Sequence, residues 1–414
     1  METEEEDSGG WDFLDWLGPD TSATVFHLLD DPADLARVGA VSRSWRRFGT
    51  LLPPIPCYCP QLGRSLSSTP PLVFHPSHAV IENGFSKRLC RRICPEAASF
   101  TRAVVVTRSP PPAASASESS QDAECRAREG EHAAYSYLLG ALVSAKPAMD
   151  LIMRCVGASS TDFFPDESME NTLVPHEWVN HHHSYWSSGG KDDPDAPESL
   201  TYRLSSDLCL IDEIRVRPYK AAFQNGHPIY SSKAVRIRLG HSKLDPGTET
   251  FVSAENENLT AIADENYTWT YTSPEFPMLQ ENVLQTFKLP RPALCIGGIV
   301  KIELLGRLQK QSTDDRYYIC VCHVQVMGRS LSPDLMIDIS DPADYSNLKY
   351  LPGAGNLRPE DLLSSDAKED SSDWRSLVSR YRQMRELAMV YMLLGPVQFV
   401  DEQDEAEADL PHML

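Results

Sequence analysis

The segment Ser184–Lys220, SYWSSGGKDDPDAPESLTYRLSSDLCLIDEIRVRPYK, decides the fold class of this chain. It opens with Gly, Pro, Asp and Ser, the residues that punctuate turns. Leu200, Tyr202 and Leu204 then alternate with polar residues, and Ile214 and Val216 alternate with Arg215 and Arg217. A period of two marks strands that bury one face. The same pattern returns at Val235, Ile237 and Leu239, set against Arg236 and Arg238, and at Val300, Ile302 and Leu304, set against Lys301 and Glu303. Tyr317 to Met327 is longer and apolar on both faces over much of its length. Strands at this density predict an antiparallel β-sandwich over residues 150–330.

Ala158-Ser159-Ser160-Thr161, then Tyr185-Trp186-Ser187-Ser188, then ESLTYRL from Glu198 and the Ile211-Asp-Glu-Ile segment follow one another in order. This succession resembles the discoidin or galactose-binding jelly roll, in which an A-S-S strand leads to a W-S-S turn, an edge strand and an I-x-x-I strand. The match is to the fold rather than to any subfamily's ligand residues.

Far upstream, Trp11–Phe48 reads WDFLDWLGPDTSATVFHLLDDPADLARVGAVSRSWRRF, two short amphipathic helices. Asp20, after Pro19, can cap the first, which carries Val25, Phe26, Leu28 and Leu29. The second starts with Asp31 at the N-cap, Pro32 at the first helical position and Asp34 where the helix dipole favours an acid. Leu35, Val38, Val41, Trp45 and Phe48 share its apolar face. A piece this small needs a partner for its apolar faces. The order Leu17, Pro19, Val25-Phe26, Leu29, Pro32, Asp34-Leu35, Val38, Val41-Ser42-Arg43, Trp45-Arg46 resembles an F-box, here over 11–52, with two departures: Gly18 separates Leu17 from Pro19, and Thr21-Ser22 stand where the pattern has an apolar residue. An ordinary helical hairpin packed on its own domain is the alternative. With the later regions, the whole is similar to a group of plant F-box proteins whose carboxy-terminal region has no assigned substrate.

Residues 53–149 read as a helical and linker region. It begins with the proline-rich LLPPIPCYCP bridge and holds a basic helix over 79–94, a low-complexity loop expected to be disordered over 109–124, and a helix over 131–143 with Tyr135, Leu138, Leu139 and Leu142 on one side. A Pro- and Asp-rich connector over 331–371 leads to a helix over 372–395, whose stripe of Leu377, Tyr381, Met384, Leu387, Tyr391 and Leu394 ends at Gly395-Pro396. That stripe packs on the sandwich or docks a partner. The expected architecture is therefore α+β and multidomain: a small helical F-box, a helical linker region, a jelly-roll sandwich of galactose-binding type, and a carboxy-terminal helix.

The 414 residues carry a formal charge of −21, and eleven of those charges lie in the acidic tails 1–10 and 396–414. Both tails read as disordered. Such a balance does not suit nucleic-acid backbones. The Lys87-Arg88…Arg91-Arg92 cluster reads either as an import signal or as a solvated helix face. Acids follow Met1, so no secretory leader is expected. The longest apolar run, Leu387 to Leu394, is too short to span a bilayer. A cytoplasmic or nuclear location is expected, with no membrane or nucleic-acid partner and with the ten cysteines as reduced thiols. Their spacing contains no C-x-x-C pair, which argues against zinc.

Motifs for nucleophilic elbows, phosphate loops, dinucleotide turns and H-E-x-x-H zinc helices are missing from the sequence. No catalytic residue, metal or cofactor is expected. Three adjacent histidines, His181 to His183, would point to alternating sides of a strand and so rarely share one ion. Asp192, Asp193, Asp195 and Glu198 make either a calcium loop or a solvated turn. Tyr185 and Trp186 are the candidate ligand residues, because aromatic faces suit a sugar ring; core packing is the alternative. Loops 224–227 and 271–280 are further rim candidates.

The F-box resemblance implies a non-catalytic specificity subunit of an SCF-type cullin ubiquitin ligase, acting in protein ubiquitination and proteasomal degradation. Leu17, Pro19, Val25, Phe26, Leu29, Pro32, Leu35, Val38, Val41 and Trp45 would dock on the SKP-family adaptor and, through it, a cullin scaffold. The sandwich would hold an unidentified target, which could be a glycoprotein. The alternative is a carbohydrate-binding sandwich whose F-box serves only assembly.

Overall fold

Cys209 and Ile211 face one way in the run Leu208-Cys209-Leu210-Ile211, Leu208 and Leu210 the other, and all four are buried. A strand can be apolar on both faces only when both are covered. The computed structural model describes residues 17, 19–28, 84–107, 120–144, 146–176, 178–179, 182–244, 263–339 and 346–354, and it shows the two covers.

One cover is a facing sheet. Its path is β11 (Tyr267–Thr272), β10 (Ser232–Ser242), β14 (Ile299–Arg307), β7 (Glu198–Leu204) and β3 (Ile152–Ala158), and β12 (Phe276–Pro277) also pairs with β10. The sheet containing Leu208 runs β13 (Gln285–Ile296), β8 (Leu208–Lys220), β17 (Cys320–Ser330), β2 (Met149–Asp150), with β6 (Trp186–Ser187) on β17 and β9 (Ile229–Tyr230) on β8. All of these pairings are antiparallel. Leu200, Tyr202, Val235, Ile237, Val300 and Ile302 meet Ile211, Ile214, Val216 and Val326 between the sheets. The residues whose alternation predicted strands thus form the core. Two ribbons, β4 (Trp178–Val179) with β5 (His182–His183) and β15 (Gln309–Lys310) with β16 (Tyr317–Tyr318), complete it.

The second cover corrects the expected connector. Within 331–371, β18 (Leu335–Asp338) and β19 (Ser346–Tyr350) are strands, and they join β1 (Phe100–Val105) in the order β1-β19-β18, with β1 parallel to β19. Helices α2 (Phe85–Ile93) and α3 (Ser120–Leu142) pack with this sheet. Tyr135, Leu138 and Leu139 are buried as their spacing predicts, with Leu142 half-buried, in one cluster with Leu208, Leu210, Leu294 and Ile296 of the sandwich. Helix α3 also begins at Ser120, inside the stretch expected to be a disordered loop. Asp122 in its first turn and the Glu124–Arg128 pair at i,i+4 support that start.

Specific polar contacts clamp this α/β layer to the sandwich. Edge strand β13 contains Pro290 and Pro292, which cannot donate to a ladder, and its register breaks between Lys288 and Ala293. The bulge presents Arg291 to the buried carboxylate of Glu96, with bonds of 2.5 and 3.0 Å. At the end of α3, the guanidinium of Arg329 donates to the carbonyls of Ser144 (2.5 Å) and Ala141 (3.3 Å), the second of which also accepts from Ser144 N at 3.3 Å. Lys87 pairs with Glu131 at 2.7 Å and Arg91 donates to Phe100 O at 2.9 Å, which favours the helix-face reading of the basic cluster. The turn of the β13–β14 hairpin is Gly297-Gly298, both at positive φ, as a two-residue turn of this hand requires.

Arg307, wholly buried at the end of β14, organises the far end of the sandwich. Its guanidinium pairs with Glu198, itself buried, and donates to Ser188 Oγ (3.1 Å), Gly189 O (2.9 Å), Tyr317 O (2.8 Å) and Ala196 O (3.0 Å). The second oxygen of Glu198 accepts from Ser159 Oγ, which in turn accepts from Ser199 N at 2.8 Å. This pair of side chains therefore ties the segments around 159, 188–197 and 317 to two central strands.

Removing one partner of a buried, hydrogen-bonded pair strands the other, at a cost of about 3–5 kcal/mol. Arg307→Met should lower the unfolding free energy by that amount, read as a lower denaturant midpoint, and adding Glu198→Leu should recover part of it. An Arg307→Met midpoint equal to wild type would show that the pair does not hold this end together. A second expectation concerns His132 of α3, buried with Nδ1 2.9 Å from Ser86 Oγ. Burial lowers its pKa from 6.5 to about 4. Its contribution is fully present above pH 6.5 and is lost as pH falls through about 4, by about 1.4 kcal/mol per unit. His132→Gln should flatten stability against pH in that window.

Candidate functional site

The described part of the F-box-like segment is Leu17 and helix α1 (Pro19–His27), with Leu28 beyond it. The helix starts at Pro19, so Asp20 lies in its first turn, where the dipole favours it, rather than at the cap expected from the sequence. Ser22 and Phe26, four residues apart on one face, are both buried. Phe26 is only 1% exposed and belongs to the cluster containing Phe85, Leu89 and Leu138, and Leu17 packs against that cluster. This corrects the expectation for Phe26: its ring is inside the chain and is not open to a partner. Val25 is half-buried, and Leu28 is 74% exposed. Sequence periodicity could not separate Phe26 from Leu28, since both suit an apolar stripe. Leu29, Pro32, Leu35, Val38, Val41 and Trp45 lie outside the described residues, as do the tails and the helix expected over 372–395.

The other candidate region is the end of the sandwich held by Arg307. Strand register gathers five loops there, 159–168, 188–197, 221–231, 273–284 and 308–319, since Ser232 pairs with Arg307, Leu304 with Glu198, Ala158 with Leu200, Val321 with Pro218 and Gln285 with Val216. The residues Leu208, Leu210, Leu294 and Ile296, beneath the α/β layer, occupy the opposite ends of β8 and β13.

Tyrosines floor the loop end. Tyr185 stacks on Tyr219 with centroids 3.8 Å apart and rings 8° from parallel, and its hydroxyl donates to Glu167. Tyr230 meets Tyr318 edge-on at 6.4 Å and donates to Gln224 at 2.6 Å. Tyr318 donates to Asp314 at 2.5 Å. His183 lies against Tyr219 on one side and Phe223 on the other, with centroids 5.9 and 5.3 Å away. Burial, and then the charge of Asp314, raises the Asp162 pKa. Burial also raises that of Glu167, assisted by Asp162 and Asp166 and opposed by the Tyr185 hydroxyl.

Trp186 is a core residue with no exposed surface, its Nε1 donating to Ser160 O at 3.1 Å. No ring face is left for a ligand, which corrects its candidacy. Tyr185 is nearly as buried, with one face covered by Tyr219. The acidic turn does not assemble a cation site: Glu198 faces Arg307, Asp195 pairs with Lys233 at 2.9 Å, and Asp192 lies 3.8 Å from Arg316. Among the described residues no group of His, Cys, Asp or Glu is arranged to hold a metal ion. The described helices include none long and apolar enough to cross a membrane. The rim holds a feature that periodicity could not reveal. Of nine exposed large apolar residues among those described, seven sit on it: Phe163, Phe164, Phe223, Leu279, Val283 and Leu284, together with Leu308.

No family model matches the chain. It is 39% identical over 341 residues to the F-box protein At4g00755 of Arabidopsis thaliana, a match covering 82% of each chain. This chain belongs to the F-box proteins. Among solved structures it is similar to the family 32 carbohydrate-binding module of C. perfringens NanJ in complex with galactose, at 10% identity over 43% of this chain and 99% of that one, with a TM-score of 0.27. A fucolectin from striped bass (Morone saxatilis) serum is similar at 10% identity over 47% of this chain and 52% of that one, with a TM-score of 0.29. The sandwich described here stands on its own strand pairing.

The fit of Tyr318 against the backbone is testable. A Cβ on Gly190 would lie 2.5 Å from the Tyr318 hydroxyl oxygen and 2.6 Å from Cζ. Gly190→Ala should destabilise by about 1–3 kcal/mol through overpacking. Combining it with Tyr318→Ser should relieve that cost in a double-mutant cycle. Additive losses would mean that the two residues do not press on each other.

Proposed function

We propose that this F-box protein is the substrate-recognition subunit of an SCF-type cullin ubiquitin ligase, with the F-box docked on a SKP-family adaptor and the sandwich holding a target protein. The observation that carries the reading is the relation to an F-box protein over 82% of the chain. The arrangement of parts supports it. Phe26 shares a cluster with the α/β layer, which covers one end of the second sheet, while the exposed apolar residues gather at the other end. A subunit of this kind makes no bond itself. It converts ubiquitin transfer from a bimolecular encounter into a tethered one by raising the target's effective concentration. The eight described cysteines are free thiols, which supports a reducing location, cytosolic or nuclear.

Co-purification with the SKP-family adaptor tests the reading. Trp45→Ala should remove a buried interface anchor, worth about 2 kcal/mol or roughly thirtyfold in affinity. Leu28→Ser should weaken adaptor binding without lowering the melting temperature, since Leu28 is exposed. Adaptor binding unchanged by Trp45→Ala would overturn the proposal.

A further inference from the structure

We infer that the loop rim is a docking surface for a basic, apolar segment of a target protein, one in which lysine or arginine neighbours bulky hydrophobic side chains. The inference rests on the proposal that the sandwich presents the target, and it names the chemistry by which it does so.

Two features of the rim combine. The first is apolar exposure: Phe163 is 66% and Phe223 is 60% exposed, on loops flanking the Tyr185–Tyr219 stack. Such a patch on a soluble face marks an interaction site. The second is charge. The five rim loops carry ten Asp and Glu against three Lys and Arg. Two of those cations are already engaged, Lys310 with Asp315 at 2.9 Å and Arg316 near Asp192 at 3.8 Å. The carboxylates around Phe163-Phe164, namely Asp162, Asp166 and Glu167, form no ion pair within the described residues. Asp162 and Glu167 are pushed toward their neutral forms by burial and by neighbouring negative charge. An incoming cation would relieve that repulsion.

The same features disfavour other occupants. Loops that enter a bilayer surface are aided by basic neighbours that meet anionic headgroups, and this rim has the opposite sign. The aromatics beside the glycine turn offer a sugar little: Trp186 is enclosed, and Tyr185 and Tyr219 cover each other. A flexible peptide meets both conditions, placing apolar side chains over Phe163, Phe164 and Phe223 and its cations beside Asp162 and Asp166.

The test uses the full-length chain bound to its adaptor, probed with an array of random synthetic dodecapeptides. The expected hits pair Lys or Arg with aromatic or long aliphatic residues. The double variants Phe163→Ser/Phe164→Ser and Asp162→Asn/Asp166→Asn should each weaken the best hit at least tenfold, and the second should also reduce its salt dependence. Both should retain adaptor binding and the wild-type melting temperature, so failure here is distinct from failure of the Trp45→Ala test. Acidic or charge-indifferent hits, or unchanged affinity in both variants, would overturn the inference. So would loss, in the Phe163→Ser/Phe164→Ser variant, of binding to galactose-terminated glycans or phosphatidylserine vesicles when no peptide binds.

Discussion

The buried pair of Arg307 and Glu198 is the constraint on which the loop end of the sandwich depends. A guanidinium has five N–H donors in a rigid fork, and burying it is tolerable only when those donors meet acceptors. Here they do so at four backbone or hydroxyl oxygens and one carboxylate. Three of the acceptors, Ser188, Gly189 and Ala196, come from a segment that forms no regular ladder of its own, so the charge does for 188–197 what strand pairing does for β7 and β14. Hydrophobic burial alone would not choose one arrangement for a turn as polar as Gly189–Pro197. A loop end held this way can display exposed phenylalanines on a firm base, which lowers the entropy lost on binding.

The parts of the fold that were legible in the sequence are those whose pattern repeats locally. Leu200, Tyr202 and Leu204, and their counterparts on β10 and β14, announced half-buried strands because alternate side chains reach the same core. Strands β18 and β19 were not legible. They are four and five residues long, and β19 pairs in parallel with β1 from a distant part of the chain, which no short window can see. The start of α3 is not legible either, because a Ser-rich, low-complexity approach obscures Ser120 and Asp122. The buried role of Leu208 and Leu210 was similarly hidden, since it depends on a helical layer supplied from elsewhere.

For the site, sequence carried the family and left the geometry open. The Val-Ser-Arg-x-Trp close pointed to an F-box, and the relation to an F-box protein of Arabidopsis bears that out. Tyr185 and Trp186 stood out as aromatics beside a glycine turn, but an aromatic at the start of a sandwich strand has the same sequence whether it faces core or solvent. Trp186 faces core. Phe163, Phe164 and Phe223 are not legible as a surface, because isolated apolar residues in loops are common. Their meaning appears only when strand register brings their loops to one end.

Under the proposed function, the two ends of this fold bind different partners. Hydrogen–deuterium exchange of the full chain, alone and with a SKP-family adaptor, tests it most directly. Protection confined to the F-box segment, with exchange unchanged across 159–168, 188–197 and 221–231, is the predicted result. Adaptor-induced protection of those rim loops would contradict it.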